Sequence, residues 1–441
     1  MEAKRGIARA AWLALVAGGV ALLGAAVLLA PVGVRVVDAD PADGDGAVAV
    51  TAPIGIVFSA PMDLPSIEER LQIEPPVDGS LVAEGKEVIF QPRGGLAPGT
   101  AHTVTLEAGA RSQRGLAVQV EEVWHFRTRP PQLLFLGRPG PGGEVRQLYL
   151  AALDGEAPRR LTSSPEGVWD YDVHPQGAAI VYSVLREDGG ADLWHMDRNG
   201  GGQEVLLACP GAACLNPAWS PDGQQVAYER RELWAGAPNL DPKAGRIWLL
   251  DLETGEDRPL FDYDVALHSP AWSPNGESLA YASPTIPGVE VYDLQTGELK
   301  QFGNEWGAAP VWSPGGESLV VPELMMAGEA FVVRLLRIDL ASEDLLDISG
   351  DGDFVQDVSP AWSPGGGWIA FGRQFLDDER WTPGRQTWLT RPDASEAYGL
   401  PVKGMMDDFA FAWRPDGGAL AHARTDLSEG PQAVPDVSVW I

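Results

Sequence analysis

Residues 215–229 read LNPAWSPDGQQVAYE, and the same design returns five more times. It appears as WDYDVHPQGAAIVYS at 169–183, HSPAWSPNGESLAYA at 268–282, AAPVWSPGGESLVVP at 308–322, VSPAWSPGGGWIAFG at 358–372 and FAFAWRPDGGALAHA at 409–423. The prolines of these units, Pro175, Pro221, Pro274, Pro314, Pro364 and Pro415, stand 46, 53, 40, 50 and 51 residues apart. That period fits one four-stranded propeller blade per unit and excludes the shorter solenoid repeats. In each unit an apolar strand ending in Trp meets a Pro-x-Gly turn, in which Pro presets one dihedral and Gly supplies a positive one. A second strand such as QQVAYE closes the hairpin, a third follows (DLWHMD, RIWLLDL, VEVYDL, RLLRIDL, QTWLTR), and a short fourth precedes the next unit. Trp219, Trp272, Trp312, Trp362 and Trp413 recur at one position, with Val173 in the first unit, and are expected to pack between blades rather than to touch a ligand.

Upstream, about Val34 to Thr128 alternates short β-rich runs (AVAVTAPIGIVFS, EVIFQP, HTVTLEAG, VWHFRT) with Gly, Pro and Asp clusters, the pattern of a β-sandwich. The order DADPADGDGAVAV, IVFSAPMD, LQIEPPVDG, VIFQPRGGLAPGTAHTVTL and WHFRT resembles the bacterial Ig-like domain of the S-layer SbsA type, with His102 where that family often has Tyr. The resemblance implies a spacer or adhesion module with no catalytic residues. The acidic run Asp38, Asp40, Asp43 and Asp45 lacks the spacing and terminal Glu of an EF-hand loop and reads as a solvated turn.

The SPDG-type anchors resemble the WD-like repeat of the TolB propeller over about 310 residues. In the arrangement this implies, the first fragment (LLFLG, RQLYLAAL, RRLT) supplies outer strands to a blade that a C-terminal strand completes. Six blades are therefore expected. Seven is the alternative, because the last unit continues into ALAHAR and VSVWI. The expected fold is all-β: an Ig-like sandwich at 34–129, then a TolB-like propeller at 132–441, behind one N-terminal transmembrane helix.

That helix is read at Ala11–Ala30, 20 uncharged and mostly apolar positions, roughly 30 Å as a helix and so about the thickness of a bilayer core. Lys4, Arg5 and Arg9 precede it and an acidic flank follows, so the positive-inside rule puts residues 1–10 in the cytoplasm and the rest outside the cell. A cleaved signal peptide is the rival, disfavoured by the length of the span and by Pro31. The net charge of −30 over 441 residues argues against nucleic-acid binding, which needs Lys and Arg on phosphates. Cys209 and Cys214 sit in one loop, CPGAAC, where a disulfide outside the cell is expected to contribute about 2 kcal/mol; metal or redox work would need more ligands.

No catalytic constellation emerges. TolB-like propellers also precede the hydrolase domain of prolyl oligopeptidases, but the sequence lacks a G-x-S-x-G elbow, and its six histidines are scattered. No catalytic residue, cofactor or metal is expected, and the protein is read as binding rather than catalysing, with a glycan lyase or hydrolase in the channel as the rival. Binding is assigned to the face carrying the inter-blade connections and the loops between second and third strands, where the longest insertions fall: 231–245, 323–330, 375–385 and 426–436. Trp234, Trp306 and Trp381 lie there outside the repeated Trp position, near the pairs Asp377–Asp378 and Asp407–Asp408, with His268 at the channel mouth. Aromatics ringed by carboxylates suit a cationic or carbohydrate-like group on an envelope protein, peptide or glycan.

Overall fold

Short apolar alternations broken by Gly and Pro leave little room for helices. The computed structural model, which describes residues 33–93, 95–138, 145–153, 156–233, 245–284, 288–350, 354–428 and 437–440, is accordingly all-β, with one five-residue helix, α1 (Leu64–Glu68), among the described residues. The apolar span 11–30 and Trp234 lie outside them. No helix among the described residues is long and apolar enough to cross a membrane. By contacts the chain divides into two units. One holds the chain up to Gly46 with Pro53–Gln91 and Ala101–Arg127; the other holds Ala47–Ala52, Pro92–Thr100 and Thr128–Ile441.

In the first unit, β1 (Val36–Asp40), β2 (Ile54–Phe58), β4 (Gly79–Glu84) and β5 (Glu87–Pro92) form a sheet in the order β1-β2-β5-β4. A second sheet runs β3 (Leu71–Glu74), β6 (Ala101–Leu106), β7 (Glu122–Arg127). Period-2 alternation buries Ile54, Ile56 and Phe58 from β2 and Val104, Leu106, Trp124 and Phe126 from the other sheet, the core of a sandwich. His102 is fully buried, its ring stacked on Phe126 at 5.2 Å. In the acidic turn, Asp43 accepts the His125 N–H (2.8 Å) and Asp45 the Ala42 N–H (2.9 Å), so two of these carboxylates brace backbone.

The second unit begins with a three-stranded sheet of β8 (Gln132–Gly137), β9 (Gln147–Ala152) and β10 (Arg159–Arg160). Five four-stranded blades follow. They are β11 (Val168–Val173), β12 (Ala179–Leu185), β13 (Ala191–Asp197), β14 (Glu204–Leu207); β15 (Ala212–Trp219), β16 (Gln225–Glu232), β17 (Arg246–Asp251), β18 (Asp257–Pro259); and β19 (His268–Trp272), β20 (Ser278–Ser283), β21 (Gly288–Asp293), β22 (Leu299–Phe302). The remaining two are β23 (Val311–Trp312), β24 (Ser318–Ala327), β25 (Ala330–Asp339), β26 (Leu345–Asp347) and β27 (Val355–Trp362), β28 (Ile369–Phe375), β29 (Gln386–Thr390), β30 (Ala397–Gly399). A three-stranded sheet of β31 (Met406–Trp413), β32 (Leu420–Asp426) and β33 (Val437–Trp440) ends the series. By the repeat, the described residues of this unit thus form seven strand groups rather than six, and single parallel pairs (Ala191 with Ala213, Val333 with Gln356) join two pairs of these groups into eight-stranded sheets. The first fragment does not share a blade with the C-terminal strand, because β31 is already paired in its own hairpin with β32, which in turn pairs with β33.

The core lies between consecutive blades. One cluster joins Leu148 and Leu161 of the first sheet to Val168, Ile180 and Tyr182 of the next, and another joins Val289 and Phe302 to Leu319, Val321 and Ile338. The repeated Trp sits at these junctions. The indole N–H of Trp272 donates to the Ala218 carbonyl, that of Trp312 to Ala271 and that of Trp413 to Ala361, each in the preceding blade (3.0–3.1 Å). Five residues before the repeat proline, Asn216, Ser269, Ser359 and Ala410 all have φ between 50° and 56°, and the strand register shifts there. A β-bulge at one repeat position thus turns the start of the inner strand.

Candidate functional site

Antiparallel pairing puts the starts of first and third strands and the ends of second and fourth strands at one edge of each blade; the Pro-x-Gly hairpins occupy the opposite edge. The first edge carries a polar layer. Asp357 at the start of β27 is opposite Arg373 at the end of β28, both buried, and the guanidinium meets the carboxylate through two hydrogen bonds (2.8 and 2.5 Å) while stacking 4.6 Å from the Trp388 ring. One blade on, Asp408 is opposite Arg424 (2.6 and 2.9 Å) and also accepts the Thr387 N–H and hydroxyl (3.1 and 2.8 Å). Burial drives the Asp408 carboxyl upward, but the bonds from Arg424 and Thr387 and the nearby His422 outweigh it and hold its pKa below the ordinary range. In Asp357 burial wins and the pKa is raised.

A third group spans three blades. The Trp169 indole donates to Asn216 (3.3 Å), whose amide donates to the buried Glu229 (2.8 Å), which also pairs with Arg231 (2.5 Å). His268 starts β19 beside this group, its Nδ1 3.1 Å from the Ser269 hydroxyl. Burial lowers its pKa, with Glu229 opposing and Arg231 assisting, so the ring is neutral at pH 7.

The acidic residues expected to ring the ligand are therefore mostly engaged. Asp408 is fully buried, Asp407 is paired with Arg385 (2.7 and 2.5 Å), and Asp377 is paired with Arg380 (3.0 and 2.8 Å). Asp378 is exposed on its loop. The two described tryptophans of the expected face are open to solvent, Trp306 at 40% and Trp381 at 60% of full exposure. Sequence reasoning missed their companions: Trp169, Tyr263, Phe331 and Phe354 are exposed at the same edge. For Trp169 and Tyr263 the signal was available, because neither falls at a repeated core position. Beside Tyr263, a cavity of about 440 Å³ is lined by Arg230, Arg246, Glu232, Asp264 and Trp248, with Arg230 stacked 5.0 Å over Trp248.

Cys209 and Cys214 are joined by a disulfide, Cα to Cα 6.3 Å, and both are buried. Arg186 braces this loop by donating to the Cys209 and Ala212 carbonyls (3.1 and 3.0 Å), while Asp192 accepts the Cys209 N–H (2.8 Å). Among the described residues no group of three or more His, Cys, Asp or Glu is arranged to hold a metal ion.

Two sandwiched sheets and seven consecutive propeller strand groups are the setting for comparison with known proteins. Residues 31–128 match the family model described as a bacterial Ig-like domain. In fold the chain is similar to an oligogalacturonate lyase in complex with manganese, with a TM-score of 0.52 and 13% identity over 70% of this chain and 85% of that one. TolB from Acinetobacter baumannii matches with a TM-score of 0.44 and 16% identity over 70% of this chain and 77% of that one. In sequence the chain is 26% identical over 136 residues to the uncharacterized peptidase YuxL of Bacillus subtilis (strain 168), which is 30% of this chain. The match spans 19% of that relative's length. At these identities the structural likeness concerns the fold alone.

Proposed function

We propose that the chain is a non-catalytic recognition protein of the cell envelope, displayed outside the cell on the apolar span 11–30, whose propeller binds a protein, peptide or glycan at its loop-bearing edge. One observation carries this reading. Among the described residues of the propeller, every exposed aromatic side chain except Tyr398 of β30 belongs to that edge: Trp169, Tyr263, Trp306, Phe331, Phe354 and Trp381. Aromatic groups left in water on one face, above a rigid layer of satisfied ion pairs, form a contact surface rather than a packing remnant. The same pairing favours binding over turnover, because Asp357, Asp407, Asp408 and Glu229 are each held by arginine.

The test uses the purified chain against native envelope extract. Trp306→Ala with Trp381→Ala should reduce capture of the bound species at least about tenfold, the effect of losing two aromatic anchors, while the thermal midpoint moves little. Unchanged capture, or lyase or hydrolase turnover surviving in the pure protein, would reject this reading.

A further inference from the structure

The repeat defines a position that no described residue fills. In six strand groups the first strand of the unit (β11, β15, β19, β23, β27, β31) pairs with the second. In the sheet of β8, the register marks β8 as a second strand. Gln132 pairs with Ala152 as Gln225 pairs with Asp251, and Phe135 pairs with Tyr149 as Tyr228 pairs with Trp248. The other edge of β8 has no partner strand among the described residues. Beside it lies a cavity of about 470 Å³, lined by Leu133 and Leu134 of β8, Val173 of β11 and Ala412 and Trp413 of β31.

Three details fit a strand-shaped vacancy. First, three of the other five units use the Trp at the end of the first strand (Trp272, Trp312, Trp413) to reach a carbonyl of the preceding first strand; the unit at 169–183 has no such neighbour and carries Val173 instead. Second, the Tyr171 hydroxyl donates to the Leu134 carbonyl (2.8 Å), engaging by side chain a backbone acceptor of the open edge. Third, first strands run antiparallel to second strands, so an added strand would end beside Gln132, where two arginines meet. Arg198 donates to the Gln132 side chain (2.6 Å), and Arg129, lining the same cavity, donates to the Ala47 and Gln176 carbonyls (2.5 and 3.1 Å). All these acceptors are neutral, in a chain of net charge −30.

We propose that this slot takes the extended C-terminal tail of a partner protein, added antiparallel to β8, with apolar side chains against Leu134 and Trp413 and its terminal carboxylate at Arg129 and Arg198. Main-chain bonds to the open edge would supply affinity, and the carboxylate would fix the register and mark the ligand as a chain end. This site is separate from the aromatic edge described above.

The probe is a fluorescein-labelled peptide VSPAWS, the sequence of residues 358–363, with a free C-terminal carboxylate, titrated into the full chain by fluorescence polarisation. Saturable binding is expected. It should weaken about tenfold or more when the peptide is C-terminally amidated or when Arg198→Gln is introduced, since a charge-assisted bond is lost in both cases. Val173→Trp, which supplies the indole that at Trp272, Trp312 and Trp413 bonds the preceding first strand, should tighten binding several-fold at an unchanged thermal midpoint. No saturable binding by the wild-type chain, or binding indifferent to amidation and to Val173→Trp, would overturn the proposal.

Discussion

At the level of single residues, the polar layer makes two opposite demands on protons. Asp408 is buried and stays charged because Arg424 and Thr387 hold it. Replacing it with Asn keeps the shape and takes the carboxylate away from Arg424, a change that should cost about 3 kcal/mol or more of stability, measured by chemical denaturation at pH 7. A loss below about 1 kcal/mol would mean the pair is of little consequence. Asp172 behaves the other way: burial, with the Asp170 charge assisting, lifts its pKa to about 6 against the pull of the Trp219 and Val173 N–H groups. Between about pH 4 and pH 6 the folded chain keeps a proton that the unfolded chain has lost, so this contribution is complete below that window and gone above it. Relative to wild type, Asp172→Asn should therefore gain thermal stability as the pH goes from 4 to 7; parallel curves would dismiss the effect. Asp407 and Asp408 were legible as an acidic pair on the expected face, but a string of letters does not show that Arg385 and Arg424 hold them. Glu229 and Arg373 were passed over for the same reason, although the recurrence of Asp seven residues before the repeat proline and Arg nine after it (Asp357 with Arg373, Asp408 with Arg424) was there to be counted.

At the level of strands, the hairpins, the third strands and the packing role of the repeated Trp could be read directly, because period, turn chemistry and alternation all agree. The number of strand groups could not, since it depends on which edge of β8 finds a partner, and backbone edges leave no mark in side-chain pattern. Also invisible was the bulge at the start of the inner strands. There Ala410 holds a left-handed conformation with φ of 52°, a region that costs a side-chain-bearing residue about 1 kcal/mol and costs glycine nothing. Ala410 is exposed, so Ala410→Gly removes that strain with little loss of packing. The variant should gain some tenths of a kcal/mol to about 1 kcal/mol, after the entropy glycine adds to the unfolded chain is subtracted. A less stable variant would show that the methyl group is needed.

For the molecule as a whole, the expectation of a membrane anchor rests on sequence, because the span 11–30 and its flanking charges belong to residues outside the described structure. An uncleaved anchor predicts that the full chain stays with the membrane through high-salt and carbonate washing and keeps its own N-terminus; a soluble product beginning near Val32 would mean cleavage instead. The aromatic edge was only half legible. Trp306 and Trp381 stand out by falling off the repeat, whereas Phe331 and Phe354 become a surface only once β25 and β27 fix where the loops emerge.

The bonds made by the repeated indoles all have the same polarity: Trp272, Trp312 and Trp413 each reach back to a blade nearer the N-terminus, and none of these three reaches forward. A chain leaving the ribosome from its N-terminus would thus present each of these three indoles with a docking carbonyl that already exists, so that those blades can be laid down in order without waiting for the last unit. Such a molecule should come apart in the reverse sense, beginning with the sheet of β31–β33, whose inner strand has no later indole bonded to it among the described residues. Pulled from its C-terminus, it would be expected to shed that sheet first and to yield in steps of one blade.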